Sequence, residues 1–218
     1  LENSYETRAV AGRELGVPDL RDLEFASALL YVSSCVHSRA LRVVDFGGGD
    51  GARAAQVKLM VQDAINVELI NVEQAKLVEK IRYLQTTGDL VPRTPVCDWA
   101  EFVSSHLNGP DFNLVSFIGS ATYLPPNRVF EIARRARAPF VWLQRYLIAP
   151  GETLLVRDRW VSSGSGFQEC IPNEETFLEH ARGWKVVWWA VGEHLNPSKA
   201  RAVGTDHAVN ILLRREHQ

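Results

Sequence analysis

Four glycines fall within five positions in "RVVDFGGGDGARAAQ", Arg42 to Gln56. An apolar run ending in Asp45 leads into them, and a helix-forming stretch follows. Gly47, Gly48, Gly49 and Gly51 remove side chains where a backbone can then approach a ligand closely, and a helix starting near Ala52 aims free N–H groups at the same place. So many glycines cost backbone entropy on folding, so a bare turn without a ligand is a poor explanation for them. No G-K-[ST] follows, which excludes the phosphate-binding P-loop.

Two cofactor classes fit the spacing. Gly47-x-Gly49-x-x-Ala52 satisfies the loose dinucleotide fingerprint, while Asp45-x-Gly47-x-Gly49-x-Gly51 satisfies the D-x-G-x-G-x-G loop of S-adenosylmethionine (SAM) sites. Glu73, at the end of the next apolar stretch, could accept from ribose hydroxyls in either case. The acid before the glycines favours SAM. Its carboxylate would attract an ammonium or sulfonium and repel the two phosphates of a dinucleotide. An NAD(P)-dependent oxidoreductase is the weaker alternative, because too little chain remains for the separate catalytic domain it would need.

The elements that must position these residues follow from periodicity and punctuation. A helix is predicted over Leu20 to Val36, with Leu23, Ala26, Leu30 and Ser33 on one face. Strands are predicted at "LRVVDF", "VELINVE", "TPVCDW", the apolar "FNLVSFIG" and "FVWLQRYLI", with helices between them. Such alternation implies an α/β, Rossmann-like, doubly wound sheet, mostly parallel, with helices on both faces. Later come a helix, a strand through "GWKVVWWAV" and a final strand "HAVNILLRR", joined by a connection expected to be too short and polar for a helix. The final strand must then pair antiparallel. Residues 1–40 read as an N-terminal helical segment packing on a core domain of residues 41–218. "RDRWVSSGSGFQECIP" reads as a hairpin or a mobile lid.

The bulk numbers exclude several classes. The chain has 218 residues, a formal net charge of -2 and 23% charged residues, so nothing suggests a nucleic-acid partner. No apolar run approaches the roughly 20 residues of a membrane span. Cys35, Cys97 and Cys170 are scattered, and no zinc-type spacing appears, so no metal is expected and a reducing cytoplasm is the expected setting.

On these residues the chain resembles the class I SAM-dependent methyltransferases, over about Leu41 to Arg215. The resemblance implies a seven-stranded sheet with an antiparallel last strand. It also implies a glycine loop under the methionine and ribose, Glu73 on the ribose, Asp98 facing the adenine amino group and Trp99 beside the ring. Asp98 could equally cap the helix that follows it. More narrowly, "VVDFGGGDG", "GSATYL" and "QRYL" resemble a small bacterial family of methyltransferases associated with surface-polysaccharide synthesis, with Ser120, Tyr123 and Arg145 at its matching positions.

In an open parallel sheet the ligand crevice lies beyond the C-terminal strand ends. Gly119, Ser120 and Tyr123 after the fourth strand and Arg145 on the fifth are therefore expected near a small-molecule or saccharide acceptor. Arg145 could clamp an anion, or simply pair with a nearby acid such as Glu152. Trp188 or Trp189 could serve a homodimer contact. No general base stands out, which keeps open a catalytically inactive, methyltransferase-like binding or scaffold protein.

Overall fold

The computed structural model describes residues 17–90, 94–157 and 168–216. Helix α1 (Leu20–Val36) is followed by β1 (Ala40–Phe46), α2 (Ala52–Val61), β2 (Asn66–Glu73), α3 (Ala75–Thr87), β3 (Val96–Asp98) and α4 (Trp99–Ser105). Then come β4 (Leu114–Ile118), a 3-10 turn (Ala121–Tyr123), α5 (Pro126–Arg135) and β5 (Phe140–Tyr146). Strands β6 (Leu154–Arg157) and β7 (Gln168–Ile171) form a separate two-stranded hairpin, and α6 (Glu174–His180), β8 (Trp184–His194), α7 (Pro197–Val203) and β9 (His207–Arg215) complete the chain.

Seven strands make one sheet in the order β3-β2-β1-β4-β5-β9-β8. Strands β1 to β5 pair parallel, and β9 runs antiparallel to both of its neighbours, β5 and β8. This is the doubly wound, mostly parallel arrangement that the alternation predicts. The strand order reverses between β1 and β4, the switch point at which open α/β sheets hold ligands in a crevice beyond the strand tips. The largest apolar cluster gathers Phe46, Phe102, Phe117, Phe130 and Phe177, and a second Phe25, Leu29, Val57, Trp142 and Leu212. With both faces covered, the central strands are mainly apolar on both sides.

Three local expectations are corrected. Helix α1 buries Phe25, Ala28, Leu29 and Val32 together with Ala26 and Ser33, while Leu23 and Leu30 are 50% and 43% exposed. Phe25 is the largest apolar side chain of the helix, and its burial sets the inward face. The connection between β8 and β9 does hold a helix, α7: the Asn196 side chain caps it, Pro197 starts it and Gly204 ends it in the left-handed region. The fourth strand is not wholly apolar, because Ser116 lies buried within it. Of the segment expected to be a hairpin or lid, the arms pair antiparallel as β6 and β7. Its residues 158–167, like residues 1–16, lie outside the described residues.

The first turn of α1 is pinned to α2. Asp19 and Asp22 make a reciprocal capping box. Arg53 Nη1 then donates to Asp22 Oδ1 at 2.6 Å and to Asp19 Oδ1 at 2.9 Å. Farther along α1, Glu24 accepts from Gln144 Nε2 and Asn210 Nδ2, each at 2.9 Å. Helix α1 is thereby tied to the tips of β5 and β9.

Candidate functional site

The glycine loop folds tightly over the tips of β1 and β2. Gly47 and Gly51 sit at φ 76° and 79°, a region unfavourable to residues with a Cβ. Space forbids a side chain as well. A Cβ on Gly47 would stand 2.5 Å from Ser120 Cβ, and one on Gly48 2.5 Å from Asp45 Oδ2. The glycines thus let the loop lie on a polar floor. Gly47 N–H donates to Val72 O at 2.9 Å, and Gly49 N–H donates to Glu73 Oε1 at 2.7 Å. Ser120 Oγ donates to Phe46 O, joining the loop after β4 to the tip of β1.

The floor is a polar row across three parallel strands. Asp45 on β1 is in register with Asn71 on β2 and Ser116 on β4, so the three side chains share one face. Asp45 is 1% exposed and accepts a hydrogen bond from Ser116 Oγ. Burial pushes its carboxyl up to about 7, Ser116 pulls it back, and the charge of Glu73 pushes it further. An Asp placed at the strand tip to face a ligand's ammonium is therefore only half the picture. The carboxyl lies beneath Gly48, and its charge reaches the crevice through the loop backbone laid over it.

Asn71 was not singled out from sequence. Its Nδ2 donates to Thr94 Oγ1 at 3.0 Å, while its Oδ1 is buried beside Gly48 with no hydrogen-bond partner among the described residues. A visible signal was available: Asn71 is a polar residue in an apolar strand, two positions before Glu73 and so on the same face. Ser116 carries the same signal in β4.

Glu73 is also buried, at 7% exposure. Desolvation raises its pKa, against the N–H groups of Gly49 and Gln74, which hold it down. Asp98 is its register neighbour on β3. Asp98 caps α4, with Oδ1 accepting from Glu101 N–H at 2.8 Å, so the capping alternative is realised. Asp98→Ala is expected to cost about 1 kcal/mol of stability through the lost cap, measured by urea unfolding. Trp99 packs on Phe46 and Phe102 with Arg135 over its ring, a half-buried aromatic at the mouth of the crevice.

Arg145 has an unusual backbone. Its φ is 57°, at a register shift between Leu143 and Tyr146 where β5 pairs with β9. The other two non-glycine residues with positive φ, His37 and Arg137, lie just past helix ends, so among the described residues Arg145 alone takes this conformation inside a strand. Such strain persists only where surroundings enforce it, and it clusters at functional sites. Here Asn210 Oδ1 accepts from Arg145 N–H at 2.9 Å. Its guanidinium pairs with Glu193 at 3.0 Å, not with the nearby Glu152, because the bend aims it at β8. Glu193 also pairs with Arg21 of α1. Arg145 Nη1 comes within 3.8 Å of where a Cβ on Gly119 would stand, so it reaches the tip of β4. Gly119 itself is at φ 74°, and Tyr123, in the 3-10 turn, is half-buried.

The fold therefore brings Asp45, the four loop glycines, Glu73 and Ser120 into direct contact. It sets Asp98 and Trp99 on one flank and Gly119 with Arg145 on the other. His194 and His207 are not part of this assembly; they meet at the outer edge of the sheet.

No family model and no curated protein matches the sequence. Solved structures match it in fold. The N-terminal domain of EvdMO1, crystallised with S-adenosylhomocysteine (SAH) and D-fucose, superimposes with a TM-score of 0.59 at 12% identity, over 97% of this chain and 95% of that one. Coclaurine N-methyltransferase, bound to N-methylheliamine and SAH, gives 0.52 at 12% identity over 93% and 74%. Magnesium protoporphyrin IX methyltransferase from Synechocystis PCC 6803, with bound SAH, gives 0.52 at 10% identity over 97% and 93%. The chain has the fold of SAM-dependent methyltransferases.

Proposed function

We propose that this chain is a SAM-dependent methyltransferase acting on a small molecule or saccharide. One observation carries the reading: a glycine loop at the β1/β4 switch point, laid over buried Asp45, with Asn71 Oδ1 beside it lacking a partner among the described residues. The residues fit the cofactor. Gly47, Gly48, Gly49 and Gly51 form a cradle of bare backbone, Glu73 retains acceptor capacity for ribose hydroxyls, and Trp99 offers a face for adenine. When bound, SAM supplies an electrophilic methyl on a neutral leaving group. The protein's task is then chiefly alignment, which can supply most of the acceleration. Arg145 and Tyr123 hold the acceptor, with Arg145 donors directed past Gly119 to an anionic or hydroxyl-bearing group. The EvdMO1 domain crystallised in the presence of SAH and D-fucose, and coclaurine N-methyltransferase bound to N-methylheliamine and SAH, support a small organic molecule as the acceptor here. Three unpaired cysteines suit a cytoplasmic setting, and Trp189, 37% exposed on the outer strand, suits a homodimer contact.

Calorimetry with SAH and with NAD+ tests the cofactor. Micromolar binding of SAH without binding of NAD+ is expected, and the reverse would overturn the reading. Arg145→Gly tests the acceptor side. It relieves a strained φ, offsetting the loss of a partly exposed ion pair, so stability should change by no more than about 1 kcal/mol. SAH affinity should be retained while SAH release from SAM is lost across a panel of small-molecule and saccharide acceptors. If turnover survives, Arg145 does not bind the acceptor.

A second reading is a binding protein that keeps this fold without turnover. Asp45 and Glu73 are buried and hydrogen-bonded, and Tyr146 is buried with its ionisation pushed up by desolvation, so none of the three is a ready base. SAH binding without methyl transfer to any acceptor would favour it.

A further inference from the structure

We propose that His194 and His207 form a two-imidazole site for a divalent first-row transition cation of the imidazole-preferring kind: Cu2+, Ni2+ or Zn2+. The two residues are register partners, the last of β8 and the first of β9. Their rings lie 3.9 Å apart, and Nε2 faces Nε2 at 3.1 Å. Two nitrogens bound to one metal at 2.0–2.1 Å stand about 2.9 Å apart at a right angle and about 3.4 Å apart at the tetrahedral angle. The nitrogen spacing falls between these limits, and the rings, with centroids 3.9 Å apart, splay for both lone pairs to converge on one ion.

In the neutral pair one Nε2–H donates to the other Nε2. On binding, that proton moves to Nδ1 of its own ring through solvent, and both Nε2 lone pairs then face the ion. The pair is held by the β8–β9 ladder, with Leu195 N–H donating to Asp206 O at 2.8 Å just beyond it. His194 lines an open groove of about 470 Å³ with Asp206 and Arg201, a carboxylate and a guanidinium whose charges offset. Among the described residues no group of three His, Cys, Asp or Glu side chains could hold a metal, so water completes the coordination. Such a site binds reversibly, in the order Cu2+ above Ni2+ and Zn2+. It sits on the outermost pair of strands, away from the glycine loop, and does not depend on the proposed methyl transfer.

The test is a CuCl2 titration of the full chain by calorimetry, with electron paramagnetic resonance of the loaded protein. A single tight equivalent with two-nitrogen coupling is expected. His194→Gln and His207→Gln should each weaken binding about a hundredfold, the loss expected when a two-point attachment becomes a one-point one. The double variant should do no worse than either. The four other histidines remain in every variant as internal competitors. Metal-free melting temperatures near that of the unaltered chain confirm the fold, and the two-nitrogen signal of the unaltered chain is informative even where a variant fails to fold. Binding by the double variant as tight as by the unaltered chain, or a spectrum with one nitrogen ligand, would overturn the proposal.

Discussion

Replacing Asp45 by asparagine is expected to stabilise the protein above pH 7 and to weaken its hold on SAM. The folded carboxyl keeps its proton up to about 7, whereas in the unfolded chain it releases it near 3.8. Between those values the native state binds more protons, so stability falls as pH rises through the window and levels off above it. A difference of that size corresponds to about 4 kcal/mol, and full burial leaves no solvent screening to reduce it. Asparagine can still accept the Ser116 hydrogen bond and does not titrate, so the slope from this position vanishes. Urea unfolding at pH 5, 6, 7 and 8 reads the effect directly. Identical pH slopes for the two proteins would mean that Asp45 is not buried as described. The same charge governs the ligand. A sulfonium and ammonium favour the ionised carboxyl, so SAM affinity should rise from pH 6 to 8 and lose that dependence, together with about tenfold of its strength, in Asp45→Asn.

Gly51→Ala should be the most damaging single methyl in the loop. Its Cβ would stand 2.0 Å from Thr94 Oγ1 and 2.6 Å from Asn71 Nδ2, at φ 79°. The left-handed backbone costs about 1–2 kcal/mol and overpacking about 1–3 kcal/mol more. At this chain length the sum lowers the melting temperature by roughly 5–15 °C. Relieving the collision moves Thr94 and Asn71, and with them the loop floor, so SAH binding should be lost as well. Gly88→Ala is the control. That glycine ends α3 at φ 81° with nothing within 4 Å of an added Cβ, so only the backbone term applies. Equal losses for the two variants would mean that the contacts beneath Gly51 do not matter.

Local chemistry explains what was legible. Strand, acid, glycines, helix and a second acid make a contiguous pattern, and each member lies where the pattern requires. The alternation of elements fixes the parallel sheet in the same way. What escaped depends on contacts remote in sequence. Leu23 and Leu30 look like core residues until the packing of Phe25 turns α1 by part of a turn. Arg145 finds Glu193, 48 positions away, because a bend in β5 redirects it, and no local rule reports that bend. The polar row itself arises only from register, since Asp45, Asn71 and Ser116 are separate polar residues until β1, β2 and β4 align. The short helix α7 is signalled locally by Asn196, Pro197 and Gly204, and the polarity of its segment hides it.

The position of β9 in the sheet also bears on how this chain is made. It is synthesised after both β5 and β8, yet it lies between them. Until His207–Arg215 has left the ribosome, β5 keeps an unpaired edge and β8 has no partner to dock against. The nascent molecule therefore presents open strand edges to its neighbours until that segment emerges, and aggregation is the competing outcome meanwhile.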